Sequence, residues 1–326
     1  MKCRKLAIIA LVLSLLVFSA CAPEDDKTDL EIGADYLKGT RGIDINLEEP
    51  GTLFITPDQP VSILAEVENL GRHTPDSVDF YLSGFDPKFL DYGTDVSRSL
   101  SEPLQGKTKF SPGISQIVSF TGIPDEANIG DLGTPKLQQD TIVTMCYDYS
   151  TRASFPVCLD TSTEEEPGGC PKEASVAYEE GQGAPLAITK VDYRTVRASE
   201  DTVRVRFDIH LRQVDNTDNL RIFDSESASP RNPCEGVPLK RLDYGKIDIL
   251  SVDFRGGEEL ECPLLTSLRD SNQKFNIERL DNPVLTCYNK EELPVSPDIN
   301  TVLNIEIAYD VVQSVVQPVV IESIFT

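Results

Sequence analysis

Val203-Arg204-Val205-Arg206-Phe207-Asp208-Ile209-His210-Leu211-Arg212 places an apolar residue at every odd position and a polar or charged one at every even position. Successive side chains of a strand point to opposite faces, so this stretch has one dry and one wet face, as in an antiparallel sheet packed on one side. Val61, Ile63, Ala65 and Val67 repeat the pattern, as do Val78, Phe80 and Leu82. Further strands are expected at Gln116 to Phe120, Thr141 to Tyr149, Ser154 to Leu159, Ala187 to Tyr193, Lys246 to Phe254, Asn282 to Tyr288, Val302 to Tyr309 and Val315 to Ile321. The 22 prolines and 20 glycines supply breaks between them, and no long helical period follows residue 20. Many short strands without helical crossovers point to an all-β protein of the sandwich class. The apolar, β-branched run from Val311 to Ile321 is expected as a buried terminal strand.

An internal repeat divides the pattern. Tyr147-Asp148 is followed nine residues on by Pro156-Val157, and Tyr309-Asp310 at the same offset by Pro318-Val319. Ile43-Asp44-Ile45 with Val61 to Val67 opens one unit, and Ala187-Ile188-Thr189 with Val203 to Leu211 opens the other. The expectation is two tandem antiparallel β-sandwich domains, 41–160 and 184–326, each closed by a hairpin, with a linker over 161–183. Glu164-Glu165-Glu166-Pro167-Gly168-Gly169 has linker composition.

The N-terminus sets the compartment. Lys2, Arg4 and Lys5 precede an apolar run from Leu6 to Phe18, and Ser19-Ala20-Cys21 follows. This is the plan of an export signal over 1–20, too short for a spanning helix. Residues 21–40 then read as a polar tether. Val17-Phe18-Ser19-Ala20-Cys21 resembles the lipobox of prokaryotic lipoproteins, with Phe18 departing from the usual aliphatic residue. The resemblance implies a diacylglycerol on Cys21 and attachment to the outer face of the cell membrane, with no further cofactor.

With 54 acidic against 30 basic residues the net charge is −24. Nucleic-acid affinity rests on Lys and Arg contacts to phosphate, so no nucleic-acid partner is expected. Six cysteines remain beyond Cys3 and Cys21: Cys146, Cys158, Cys170, Cys234, Cys262 and Cys287. An even number in an exported chain argues for disulfides. Cys146 and Cys158 flank a hairpin expected to turn near Arg152, and so pair across it. Three pairings are open to the other four; the one expected is Cys262–Cys287 with Cys170–Cys234, the latter clipping the linker to the second domain. No C-x-x-C occurs, and His73 and His210 are the only histidines, so no metal site is expected.

Candidate chemistry is sparse. His73 lies in a turn and His210 on the polar face of a strand; both read as solvated. Asp215-Asn216-Thr217-Asp218-Asn219 offers hard oxygen ligands but lacks the glycine and terminal glutamate of a calcium loop. It reads as a polar turn. No nucleophile elbow, phosphate loop or dinucleotide fingerprint is present, and no enzymatic reaction is expected.

The two units also look like the immunoglobulin-like, cell-adhesion-related modules of archaeal and bacterial envelope proteins. The residues that carry the likeness are Val61 to Val67 with Glu68-Asn69-Leu70-Gly71, the Tyr-Asp ending, and Gly181-Gln182-Gly183-Ala184-Pro185. The second unit has Val214-Asp215-Asn216 where such modules carry Asn-x-Gly. The resemblance implies adhesion, display or spacing, with envelope or surface proteins as partners. A solute-binding lipoprotein delivering a ligand to a membrane partner is the alternative.

Overall fold

The fold was analysed in a computed structural model, which describes residues 37–131, 136–162, 169–254, 256–263, 274–278, 282–295 and 298–322. The expected signal 1–20, Cys21, most of the tether and residues 163–168 of the linker lie outside the described residues. In chain order the strands are β1 (Ile43–Leu47), β2 (Leu53–Ile55), β3 (Val61–Asn69), β4 (Val78–Ser83), β5 (Leu90–Asp91), β6 (Ser97–Ser99), β7 (Ser115–Pro124), β8 (Lys136–Leu159) and β9 (Glu173–Ala177). They continue with β10 (Leu186–Arg197), β11 (Thr202–Gln213), β12 (Arg221–Phe223), β13 (Lys246–Phe254), β14 (Glu258–Glu261), β15 (Phe275–Asn276), β16 (Val284–Asn289), β17 (Leu293–Pro294) and β18 (Ile299–Glu322). Two short helices, α1 (Glu126–Asp131) and α2 (Ser225–Ala228), interrupt them.

The alternation read from the sequence decides the burial. Val203, Val205, Phe207, Ile209 and Leu211 are buried on one face of β11, while Ile43, Ile45, Ile63, Ala65, Val67 and Phe120 line β1, β3 and β7. Those three strands and β5 form a four-stranded sheet in the order β1-β3-β7-β5. The other strands run β6-β4-β8-β18-β13-β14-β16-β11-β10-β9. All strand pairs are antiparallel except β2 with β18. The sheets stay open-edged, and the fold is an all-β sandwich.

Two 24-residue strands, β8 and β18, dominate the architecture. They pair antiparallel along their whole length, from Lys136 against Glu322 to Leu159 against Ile299. The hairpins expected around Arg152 and after Tyr309 are therefore absent. Ser150-Thr151-Arg152-Ala153 contains no Gly, Pro, Asn or Asp, and its period-two pattern continues: Thr151 is buried and Arg152 exposed. Arg152 instead pairs across the ribbon with Glu306 at 2.6 Å, and Ser154 bonds Asn304 at 2.8 Å. Pro156 and Pro318, read as breaks, are accommodated because neither position has a strand on its outer side among the described residues.

The repeat is nevertheless real. Asp148 faces Asp310 at the centre of the ribbon, so the two Tyr-Asp copies are related by a local two-fold. In each, the tyrosine holds the first strand of its own lobe. Tyr147 Oη bonds the backbone of Ile43, and Tyr309 Oη accepts from Leu186 N at 3.3 Å. Each aspartate ties down a connecting loop. Asp148 accepts from Asp76 N and Ser77 N, and Asp310 from Ser225 N at 2.6 Å.

This symmetry exchanges strand halves. Residues 142–147 of β8 lie between β4 and the C-terminal half of β18; residues 303–308 of β18 lie between β13 and the C-terminal half of β8. The ranges 41–160 and 184–326 are consequently not two independent domains. Each gives a strand half to the other lobe, and Tyr36–Thr326 clusters as one unit.

The disulfides correct the expected pairing. Cys146 bonds Cys234, Cys158 bonds Cys170, and Cys262 bonds Cys287. Cys146 and Cys158 cannot meet, because twelve residues of one extended strand separate them by about 40 Å. Cys170 does pin the linker, but to the end of β8 and not to Cys234. Cys234 instead fastens the segment around α2 onto the outer face of the ribbon, where Cys146, Phe223, Ala228 and Val312 form a second small core. Cys262–Cys287 matches expectation: β14 pairs with β16, and the bond extends that register by one residue. Three disulfides place the folded body in an oxidising compartment. Among the described residues no helix is long and apolar enough to cross a membrane.

Candidate interaction site

The Asn-x-Gly of the first lobe builds the junction between the lobes. Asn69 closes β3, donating from Nδ2 to His73 O and Leu104 O and accepting from Gly71 N. Gly71 sits where a side chain has no room. A Cβ there would lie 1.8 Å from Tyr149 Oη, 2.6 Å from Gly183 O and 2.7 Å from Arg41 O. The motif thus has a steric cause, and Gly183 of the second singled-out glycine cluster is part of it. Tyr149 Oη donates to Gly183 O at 3.0 Å.

The two histidines are not idle. Ser150 Oγ lies 3.0 Å from His73 Nδ1, and His73 Nε2 lies 3.6 Å from Asp148 Oδ2. Burial pushes the pKa of Asp148 up, but bonds from His73 and from the N–H groups of Ser77 and Asp76 outweigh it and hold the carboxyl below its ordinary value. Asp148 is thereby engaged in fixing the 71–77 turn to β8, and His73 packs edge-on against Tyr149 with ring centres 5.2 Å apart. Three grooves of the molecule, of about 460–910 Å³, are lined by other residues. On the far side of the two-fold, burial, and then the carboxylates of Asp224 and Asp148, push Asp310 above its ordinary value. Lys274 bridges Asp224, Glu226 and Asp248 at 3.1–3.3 Å nearby. His210 Nε2 contacts Asp192 Oδ2 at 2.8 Å on the wet face of β10 and β11.

The 215–219 turn closes on itself: Asp215 Oδ1 accepts from Thr217 N at 2.9 Å and Thr217 Oγ1 at 2.5 Å. Among the described residues no group of three or more His, Cys, Asp or Glu side chains is arranged to hold a metal. The turn instead forms one wall of a groove of about 910 Å³. The edge of β1 from Asp44 to Leu47, with Thr40 and Arg41, forms the second wall, and Gln313 to Val316 of β18 form the third.

This groove exists because the outer edge of β18 is interrupted. β12 covers residues 310–312 antiparallel, and β2 covers 319–321 parallel. Between them no strand pairs with 313–318 on that edge among the described residues. β1 is likewise the end strand of its sheet. Three carboxylates, Asp44, Asp215 and Asp218, face one guanidinium, Arg41, which is bound to Asp44 at 2.9 Å. Gln313 is 1% exposed, and its Oε1 accepts no hydrogen bond from the described residues. Val316 at the mouth is 46% exposed. Sequence reasoning singled out the 215–219 turn but not the groove, whose walls come from three distant segments; the apolar run 311–321 was the one further signal.

No family model matches the chain, and no curated protein matches it. Solved structures similar to parts of it include the ASH / PapD-like domain of human CEP192 (17% identity, 33% of this chain and 72% of that one, TM-score 0.17). The serine-rich repeat adhesion glycoprotein Srr1 of Streptococcus agalactiae is 10% identical over 89% of this chain and 97% of that one, with a TM-score of 0.18. The secreted serine protease VesC of Vibrio cholerae is 9% identical over 88% of this chain and 54% of that one, with a TM-score of 0.20. Superpositions this loose carry no functional argument.

Proposed function

We infer that the chain is an exported lipoprotein held to the outer face of the cell membrane through Cys21, whose double sandwich acts as a structural, adhesive or protein-interaction module of the envelope. The observation that carries this reading is a three-disulfide, strand-exchanged body that follows directly on Ser19-Ala20-Cys21 and a polar tether. Two acyl chains give stable attachment where one is marginal. Disulfides and a cross-lobe ribbon suit a body that must persist outside the cell. The partners are other envelope or surface proteins.

Mass spectrometry of the N-terminal peptide, combined with whole-cell cross-linking, tests this. The wild-type chain is expected to sediment with membranes, to carry a diacylglycerol on Cys21 and to cross-link to envelope proteins; Cys21→Ser is expected in the medium. Unmodified, freely secreted wild-type protein would overturn the anchor.

A further inference from the structure

We propose that the groove between β1, the 215–219 turn and β18 takes an extended, basic peptide segment of a partner protein, added as a short strand to the open edge of β18. The proposal deepens the interaction reading above and rests on it. Of the unpaired residues, 313–316 line the groove, roughly 13 Å at about 3.3 Å per residue, while Gln317 is buried and donates to Gly51 O. That is room for a short strand of about four residues between β12 and β2. Strand addition draws affinity from main-chain hydrogen bonds and specificity from alternate side chains, and both are provided for here. Outward-facing N–H and C=O groups of β18 have no strand partner in the gap among the described residues, and exposed sheet edges are otherwise covered or blunted in stable proteins.

The walls say what the segment carries. Gln313 Oε1 is a buried acceptor with no donor among the described residues, and a buried polar atom without a partner costs free energy that an incoming N–H relieves. Asp44, Asp215 and Asp218 outweigh Arg41, and the exposed Glu48 and Glu49 continue the acidic border just past β1. Lys or Arg side chains on one face of the segment answer that charge. The half-buried Leu47 and Val315 receive an apolar side chain on the alternate position. The chain's own segment 22–36 is a poor occupant. It carries Glu24, Asp25, Asp26, Asp29, Glu31 and Asp35 against Lys27 alone, and like charges in contact are repelled.

The test uses the full mature chain and a fluorescein-labelled octapeptide alternating Lys and Val, read by fluorescence anisotropy. Controls are an alternating Glu and Val octapeptide and two Lys-Val octapeptides N-methylated at every second residue, one in each register. The Lys-Val peptide is expected to bind at least about tenfold tighter than the Glu-Val peptide and to weaken as salt rises. One of the two N-methylated peptides is expected to lose about tenfold or more, because its donors no longer face the sheet edge. The double variant Asp44→Asn and Asp218→Asn alters only exposed or half-buried side chains and is expected to weaken the Lys-Val peptide by about tenfold. A photoreactive version is expected to label 44–47 or 313–316. Equal binding of the Glu-Val peptide, indifference to both N-methylations, or labelling elsewhere overturns the proposal. So do cross-links of the chain's own 22–36 to 313–316 without peptide binding. If envelope proteins cross-link to another face while Cys21 is acylated, the groove assignment falls alone. If the peptide binds to protein that is secreted unmodified, the anchor falls alone.

Discussion

Removing the Cys146–Cys234 bond should be the most damaging of the three disulfide deletions. The bond spans 88 residues, against 25 for Cys262–Cys287 and 12 for Cys158–Cys170. Constraint of the unfolded chain grows as the logarithm of the closed loop, which gives about 4.6, 3.5 and 2.8 kcal/mol in that order. The nested Cys158–Cys170 loop shortens the largest span only slightly, lowering its value to about 4.5 kcal/mol. Loss of the bond also frees the α2 segment, whose small core with Phe223, Ala228 and Val312 rests on it. Cys146→Ala with Cys234→Ala should therefore lower the urea midpoint by about 1.5 M at a slope near 3 kcal/mol/M. Circular dichroism of the three double variants, measured side by side, checks the ranking. A smaller shift for Cys146→Ala with Cys234→Ala than for Cys158→Ala with Cys170→Ala would refute the loop argument. A non-reduced peptide map joining Cys146 to Cys158 would refute the pairing itself.

Gly71→Ala is expected to cost about 3 kcal/mol or more, since overpacking against backbone oxygens has no easy relief. Tyr149→Phe in the same chain should recover part of that loss and no more, a non-additivity that a denaturation cycle measures. Tyr309→Phe removes the acceptor of Leu186 N–H and the partner of Thr151 Oγ1; a buried orphan of this kind costs about 1–3 kcal/mol, read as a lower unfolding midpoint. Asp310 and Asp148 should give opposite acid profiles. Asp310 binds its proton more tightly folded than unfolded, so its contribution to stability grows as pH falls through its raised value toward about 3.9, and Asp310→Asn should abolish that gain. Asp148 binds its proton less tightly folded, so its contribution is present above about 3.9 and lost as pH falls through its lowered value; Asp148→Asn should remove that acid-side loss. Urea midpoints between pH 2 and 7 distinguish the two, and parallel profiles for both variants would defeat the assignment.

The face of every long strand was legible because burial follows single-residue alternation, as at Val203 to Leu211. Strand continuity was not. Polar residues on the wet face look alike whether the strand ends or goes on, and Pro156 and Pro318 signal a break wherever the outer edge is assumed to be paired. Disulfide pairing was legible only where register decides it, at Cys262 and Cys287 on neighbouring strands. Cys146 and Cys234 are joined by a crossing of lobes that no local pattern encodes. The Tyr-Asp repeat was visible as spacing, but its meaning, two tyrosines each holding the first strand of a lobe, appears only once Asp148 and Asp310 face each other. His73 illustrates the same limit: its neighbours in space, Ser150 and Asp148, lie more than seventy positions away.

The strand exchange and the groove have one origin. A ribbon of two 24-residue strands must serve two sandwiches at once, and each half of β18 meets a different neighbourhood on its outer edge. In the second lobe that edge is covered by β13 from Asp248 to Phe254. In the first lobe the cover is assembled from two unrelated pieces, β12 arriving from one lobe and β2 from the other, and they do not meet: β12 pairs antiparallel with 310–312 and β2 parallel with 319–321. The interval between them is what the exchange leaves over. The open edge at 313–318 is thus a consequence of the same architecture that locks the lobes together. Tightening the cover, for example by lengthening β2 toward Gln313, would improve the sandwich and close the site in the same step.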